Sequence, residues 1–280
     1  MRAGHRVSAG LTLLVVAALA GWKSNEPERG ECTTASDVGP VAVDTTTNLR
    51  LALNVPAYRL DVLQGGGVTR SIRVAIGQPK YRTPLGRFGI DYVVWNPWWH
   101  PPASEWARRE RPKAPGWSNP VGRVKLHVHG LVFLHGTPSE SSLGTPASHA
   151  CVRMSNADAI ALARLLHARA GPTLAPASLD SLVADTARTR TIVFARAVRI
   201  DIVYELAEVR DGELWLYPDV YGFAGARVAS IEAQAIQALQ RAGRDSAELR
   251  ITRLRALADS AHRAAVRIPV DSLVTSPAIR

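Results

Sequence analysis

Ser148-His149-Ala150-Cys151-Val152-Arg153-Met154 sets one of the chain's two cysteines between a histidine and an arginine. Sixteen residues before that cysteine, Leu134-His135-Gly136-Thr137 brings a second histidine to the end of an apolar run. The thiolate is the reactive form of cysteine, and a nearby base or cation makes it available near neutral pH. Cys151 is therefore a candidate nucleophile, His135 a candidate base and Arg153 a candidate supporting cation.

Around this pair the chain alternates like short strands. Leu51, Leu53 and Val55 alternate, Tyr58, Leu60 and Val62 follow, and Gln64-Gly65-Gly66-Gly67 reads as a turn. Ser71 to Gly77 and Phe88 to Val94 read as further strands, and Lys125 to Leu134 as strand with a turn at His129-Gly130. Residues 156 to 170 change to a helical period. Ser155 or Asn156 supplies a cap, Asp158 sits in the first turn, Ile160, Leu162, Leu165 and Leu166 form the apolar stripe, and Gly171-Pro172 stops it. A helix starting so soon after Cys151 is expected to turn its positive end toward the thiolate.

The motif stretch resembles the active-site region of the L,D-transpeptidase catalytic domain, the YkuD family. His135-Gly136-Thr137 matches its His-Gly-Thr strand, and Ser148 to Met154 its Ser-His-Gly-Cys element. Upstream, Thr83-Pro84-Leu85-Gly86-Arg87-Phe88 and Asn119-Pro120-Val121-Gly122 are similar to two further family elements, in the family's order. The likeness covers roughly residues 49 to 167. Two departures stand out: Ala150 occupies a position usually held by Gly, and the interval from His135 to Cys151 is short. The resemblance implies a mainly β domain, sandwich-like, with one packed helix. Beyond it an α-helical C-terminal appendage is expected.

The expected organisation is a signal peptide over 1–20, a polar linker over 21–48, the catalytic domain over 49–167 and a connector over 168–190. A β-hairpin closing that domain is expected over 191–223, and an α-helical region over 224–280. The signal-peptide reading rests on Arg2, His5 and Arg6 before an apolar run from Leu11 to Ala20 that ends in small residues. That run is too short for a comfortable membrane span, so membrane contact is expected only if the segment stays uncleaved. The protein is thus expected to be exported to the periplasm or cell envelope. Cys32 falls in the linker, so the two cysteines make no disulfide framework. The net charge of +10 favours anionic partners. No nucleic-acid-binding motif accompanies it, and a charged envelope polymer is the more natural partner.

By resemblance, the chemistry is acyl transfer through a thioester, with no cofactor and no metal. The donor is a peptidoglycan stem tetrapeptide that loses its terminal D-alanine, and an amine of a neighbouring stem is the acceptor, giving a 3→3 cross-link. Water as acceptor would make a carboxypeptidase, and a protein lysine would make an anchoring enzyme. Carbapenem acylation of the thiol is also implied. Cys151 attacks and His135 exchanges the proton; Ser148, His149, Ala150, Arg153 and Gly136 are expected around the substrate or the oxyanion. Two other readings compete: a zinc hydrolase using His127, His129, His135, His149 and Cys151, and a non-catalytic peptidoglycan-binding module. Residues 95 to 120, which hold five of the seven tryptophans and six prolines, are either a loop packed over the sheet or a wall of the substrate groove, with Trp99 singled out for substrate contact.

Overall fold

The computed structural model describes residues 49–172, 175–223 and 230–274. The expected signal peptide, linker and Cys32 lie outside the described residues.

Ten strands lie between Arg50 and Val203: β1 (Arg50–Asn54), β2 (Arg59–Gln64), β3 (Gly67–Arg73), β4 (Ile76–Gly77), β5 (Gly86–Trp95), β6 (Val124–His129), β7 (Val132–Thr137), β8 (Pro146–Ser148), β9 (Val152–Ser155) and β10 (Arg190–Val203). Eight of them form one mixed sheet in the order β3-β2-β1-β10-β5-β6-β7-β9, while β4 and β8 pair separately. The domain is mainly β, but its hydrogen-bond ladder is continuous from β3 to β9 instead of dividing into the two large sheets of a sandwich.

Alternation decides the faces. In β6, Val124, Leu126 and Val128 are buried, while Lys125 and His127 are half-buried on the opposite side. The helix α1 (Asn156–Ala170) covers the apolar face, with Leu162, Ala163 and Leu166 in the same core as Leu126, Leu134, Val152 and Met154. Ser155 caps α1 by accepting from the Asp158 N–H at 2.9 Å.

The chain beyond α1 departs from expectation. The connector holds a second helix, α2 (Pro176–Ala184), with Pro at its start where the missing N–H is harmless. The segment 191–223 is not one closing hairpin: β10 enters the middle of the main sheet, parallel to β1 and antiparallel to β5. Only β11 (Ala207–Arg210) and β12 (Glu213–Leu216) form a hairpin, and it joins β13 (Val266–Pro269) in a separate three-stranded sheet. The C-terminal region is therefore mixed rather than purely helical. The helices α3 (Ile231–Arg241) and α4 (Ile251–Ala261) bury Ile231, Ala235, Leu239, Leu254 and Ala258 against Leu206, Leu214 and Leu216 in a core of their own. Arg59 on β2 ties this sheet to the first, gripping Glu208 at 2.5 and 2.8 Å with both guanidinium nitrogens.

Candidate active site

The thiol, the base and two cations meet on the face of the main sheet opposite α1. β7 and β9 run parallel, with His135 paired to Arg153 and Leu134 to Val152. β6 runs antiparallel to β7 and pairs Lys125 with His135. Lys125, His135 and Arg153 thus form a lateral row across three strands. Cys151 directly precedes β9, two residues before Arg153, which makes it the diagonal neighbour of His135.

His135 is buried, and its Nδ1 lies 2.7 Å from the Gly136 carbonyl oxygen. A carbonyl only accepts, so Nδ1 carries the proton and Nε2 keeps its lone pair, the tautomer a base requires. Burial pushes the His135 pKa down to about 4, with Arg153 and Lys125 adding to the fall against the Gly136 hydrogen bond. Burial also pushes the Cys151 thiol up, offset in part by the Phe133 backbone N–H, Arg153 and Lys125. Its Sγ lies 3.5 Å from the Leu131 carbonyl oxygen. The resting pair is therefore a neutral thiol beside a neutral imidazole, not a preformed thiolate–imidazolium pair. Arg153 does not overcome burial at rest.

The turn before Cys151 is pinned from three directions. Ala150 adopts a left-handed backbone with φ of 75°, the conformation that explains why glycine suits this position. Its carbonyl accepts from Thr83 Oγ1 at 3.1 Å, and Thr83 Oγ1 accepts from the Gly77 N–H at 2.9 Å. Tyr221 locks Thr83 in turn: its hydroxyl accepts the Thr83 N–H at 3.0 Å and donates to the Gly77 carbonyl at 2.9 Å. Ser148 is buried and its hydroxyl donates to the Cys151 carbonyl, while its own carbonyl accepts from the Gln78 N–H at 2.9 Å. Among the described residues no acceptor takes the backbone N–H of Ala150 or Cys151.

Other expected residues have structural contacts of their own. Gly136 lies on the α1 side of β7, where an added Cβ would come within 2.3 Å of Asn156 Oδ1, so its missing side chain makes room for Asn156. Gly122 of the Asn-Pro-Val-Gly element packs on the same spot, its would-be Cβ 2.6 Å from the Gly136 carbonyl carbon. His149 is engaged by Trp106 and Tyr81. Both ring nitrogens of His127 are engaged elsewhere, lying 2.7 Å from Asp91 Oδ1 and 3.3 Å from the Gly130 carbonyl oxygen. Among the described residues, no three His, Cys, Asp or Glu side chains converge as a metal ion needs. The α1 N-terminus does not face the thiol either: the strand β9 lies between them and carries the chain on the order of 13 Å away.

The tryptophan-rich segment divides its work. Trp95 ends β5 in the core, and Trp99 lies under Lys113 Nζ, 5.0 Å from its ring centroid, in a small two-residue bridge. Asn119 fastens the segment by donating to the carbonyls of Pro97, Lys113 and Ala114 at 2.9 to 3.1 Å. Trp98, not Trp99, is the residue open to a groove of about 590 Å³ beside Lys125. Sequence reasoning missed Lys125, Trp106 and Tyr221. For Lys125 the available signal was its place on the polar parity of β6.

Comparison with known proteins places these features in one family. The family model of the L,D-transpeptidase catalytic domain (YkuD) matches residues 49–193. No curated protein matches the chain. Similar solved structures include an L,D-transpeptidase from Mycobacterium smegmatis, at 17% identity and TM-score 0.35, covering 56% of this chain and 58% of that one. L,D-transpeptidase 3 from Mycobacterium tuberculosis, solved with a faropenem-derived adduct, shows 10% identity and TM-score 0.36, covering 55% and 60%. An L,D-transpeptidase from Xylanimonas cellulosilytica shows 16% identity and TM-score 0.33, covering 58% and 63%. The match thus spans less than two thirds of each of these structures.

Proposed function

The chain belongs to the YkuD family of L,D-transpeptidase catalytic domains, and from that premise we propose that it is an exported peptidoglycan L,D-transpeptidase forming 3→3 cross-links. The observation that carries this reading is His135, held by Gly136 in the base tautomer and set diagonally beside Cys151 on adjacent parallel strands.

In this reading the Cys151 sulfur attacks the carbonyl of the diamino residue in a stem tetrapeptide, as its proton passes to His135 Nε2. The carbonyl oxygen takes up negative charge facing the Ala150 and Cys151 N–H groups. Each such donor typically contributes roughly 2.7 to 4 kcal/mol to the transition state. The C–N bond then breaks, the imidazolium protonates the departing D-alanine nitrogen, and an acyl thioester remains. An amine of a second stem, deprotonated by His135, displaces the thiol and regenerates the pair. Because thiol and imidazole are neutral at rest, proton transfer accompanies attack instead of preceding it.

The test is intact-protein mass spectrometry after incubation with a carbapenem. A single covalent adduct on the wild type that is missing from Cys151→Ala supports an activated Cys151. Tetrapeptide assays then follow, with the mass of the product separating stem amine from water as acceptor. A folded wild type that forms neither adduct nor product sinks the reading.

A further inference from the structure

Resting on the proposed transpeptidase reading, we infer that Lys125 is a specificity-determining residue that seats a substrate carboxylate between the thiol and the neighbouring groove. The cross-strand row does not stop at Lys125. Val94 of β5 pairs with Lys125, and Thr191 of β10 pairs with Val94. One line of paired positions therefore runs Thr191, Val94, Lys125, His135, Arg153 across five strands. Its first three members line the groove, and Lys125 and Arg153 both act electrostatically on the thiol. Lys125 is the wall the two share.

The groove is an open one, of about 590 Å³. Tyr92, Trp98, Thr189 and Thr191 give it aromatic and hydroxyl surface, and no acidic side chain lines it. With strands about 4.8 Å apart, Thr191 stands roughly 14 Å from His135, the reach of about four extended residues. A short peptide laid across the strands fits that span.

Among the described residues no carboxylate lies within ion-pair distance of Lys125, and its ammonium instead sits 4.6 Å from the Phe133 ring centroid. Arg153, on the far side of His135, is in the same condition, and its buried Nε has no hydrogen-bond partner. Two cations held out of bulk water without acid partners form a cradle waiting for anionic charge. Burial lowers the Lys125 pKa, and negative charge on the Cys151 sulfur would oppose that fall, as any anion arriving at this position would. The proposed donor offers two sources of carboxylate: its terminal D-residue, and the side chain of its diamino residue when that carries an acid group.

Two measurements on the full chain test the assignment. The first compares alkylation of Cys151 by anionic iodoacetate and neutral iodoacetamide, which separates attraction of a carboxylate from thiol reactivity. The rate ratio is expected to fall at least fivefold in Lys125→Met and in Lys125→Gln, and to hold in Lys125→Arg. The second uses donor tetrapeptides amidated at the C-terminus or at the diamino side chain. Wild type is expected to prefer the free acid at least tenfold in kcat/KM at one of the two positions, and Lys125→Met to lose that preference. The position identifies the source. A ratio that survives in both neutral variants, with a preference that survives in Lys125→Met, overturns the inference, while a carbapenem adduct on Cys151 shows that the catalytic reading still stands.

Discussion

The indole of Trp106 lies flat against the imidazole of His149, with ring centroids 4.1 Å apart and planes 10° from parallel. Tyr81 closes on the same ring at 4.5 Å, tilted by 51°. The tryptophan-rich segment is thereby fastened to the turn that presents Cys151. Trp106 remains 42% exposed, so the contact is a clasp at the surface and not part of the core. His149 takes part in that clasp, which gives a histidine beside Cys151 a structural reason to be there.

Trp106→Ala should therefore harm turnover more than folding. A stacked aromatic pair contributes about 0.5–1.5 kcal/mol beyond its buried area. If that energy orders the substrate wall, kcat/KM for a tetrapeptide donor falls roughly 2- to 12-fold. The melting temperature should move by less than about 4 °C. A larger thermal loss with normal kinetics would make the clasp a structural staple.

Ala150→Gly should stabilise the protein. The left-handed backbone at φ 75° costs an L-residue about 1–2 kcal/mol, and glycine escapes that cost while losing some chain entropy in the unfolded state. The net gain expected is up to about 1 kcal/mol, read as a higher urea midpoint at unchanged slope. Ala150→Val, with its branched Cβ, should lower both stability and acylation rate. A lower midpoint for the glycine variant would show that the turn carries no strain.

The pH dependence follows from His135. Its folded pKa is depressed from 6.5 to about 4, so the unfolded state binds the extra proton first as pH falls. The stability from keeping His135 neutral is complete above pH 6.5 and is lost as pH falls through 4. The full difference is on the order of 3 kcal/mol. Acylation by a carbapenem should accordingly show no inflection near 6.5 and should decline only on approaching pH 4. A rate that halves near pH 6.5 would mean that the imidazole is solvated and titrates normally.

The proposed pair, Cys151 and His135, could be picked out of the sequence because its members sit at the ends of short apolar runs with characteristic neighbours. Lys125 was not. Its face depends on the register between β6 and β7, and that register shifts between His127 and His129, where a one-residue slip would turn Lys125 into the core. The place of β10 was hidden for a different reason. Alternation identifies Ile200 and Ile202 as strand residues, but their partners Leu51 and Leu53 lie almost 150 positions earlier, beyond any local signal. β13 is four residues long and half-buried, too brief to interrupt the helical period around it. Trp106 could be read as an exposed aromatic, but only the fold brings it to His149.

Gly136 gives the sharpest contrast between motif and geometry. Its place after His135 suggests a substrate contact, yet its missing side chain makes room for Asn156. A Cβ there would lie 2.3 Å from Asn156 Oδ1 and 3.4 Å from Asn156 Cα. Asn156 is not free to swing aside, because that oxygen accepts the Arg123 N–H at 2.8 Å and its amide donates to the Thr137 carbonyl at 3.3 Å. Displacing it leaves buried polar groups unpaired, which costs about 1–3 kcal/mol, with overpacking adding a similar amount. Gly136→Ala should thus lower the urea midpoint by an amount equivalent to at least about 2 kcal/mol. The fraction that still folds should keep the wild-type KM for a tetrapeptide donor. A stable variant with a raised KM would return Gly136 to the substrate path.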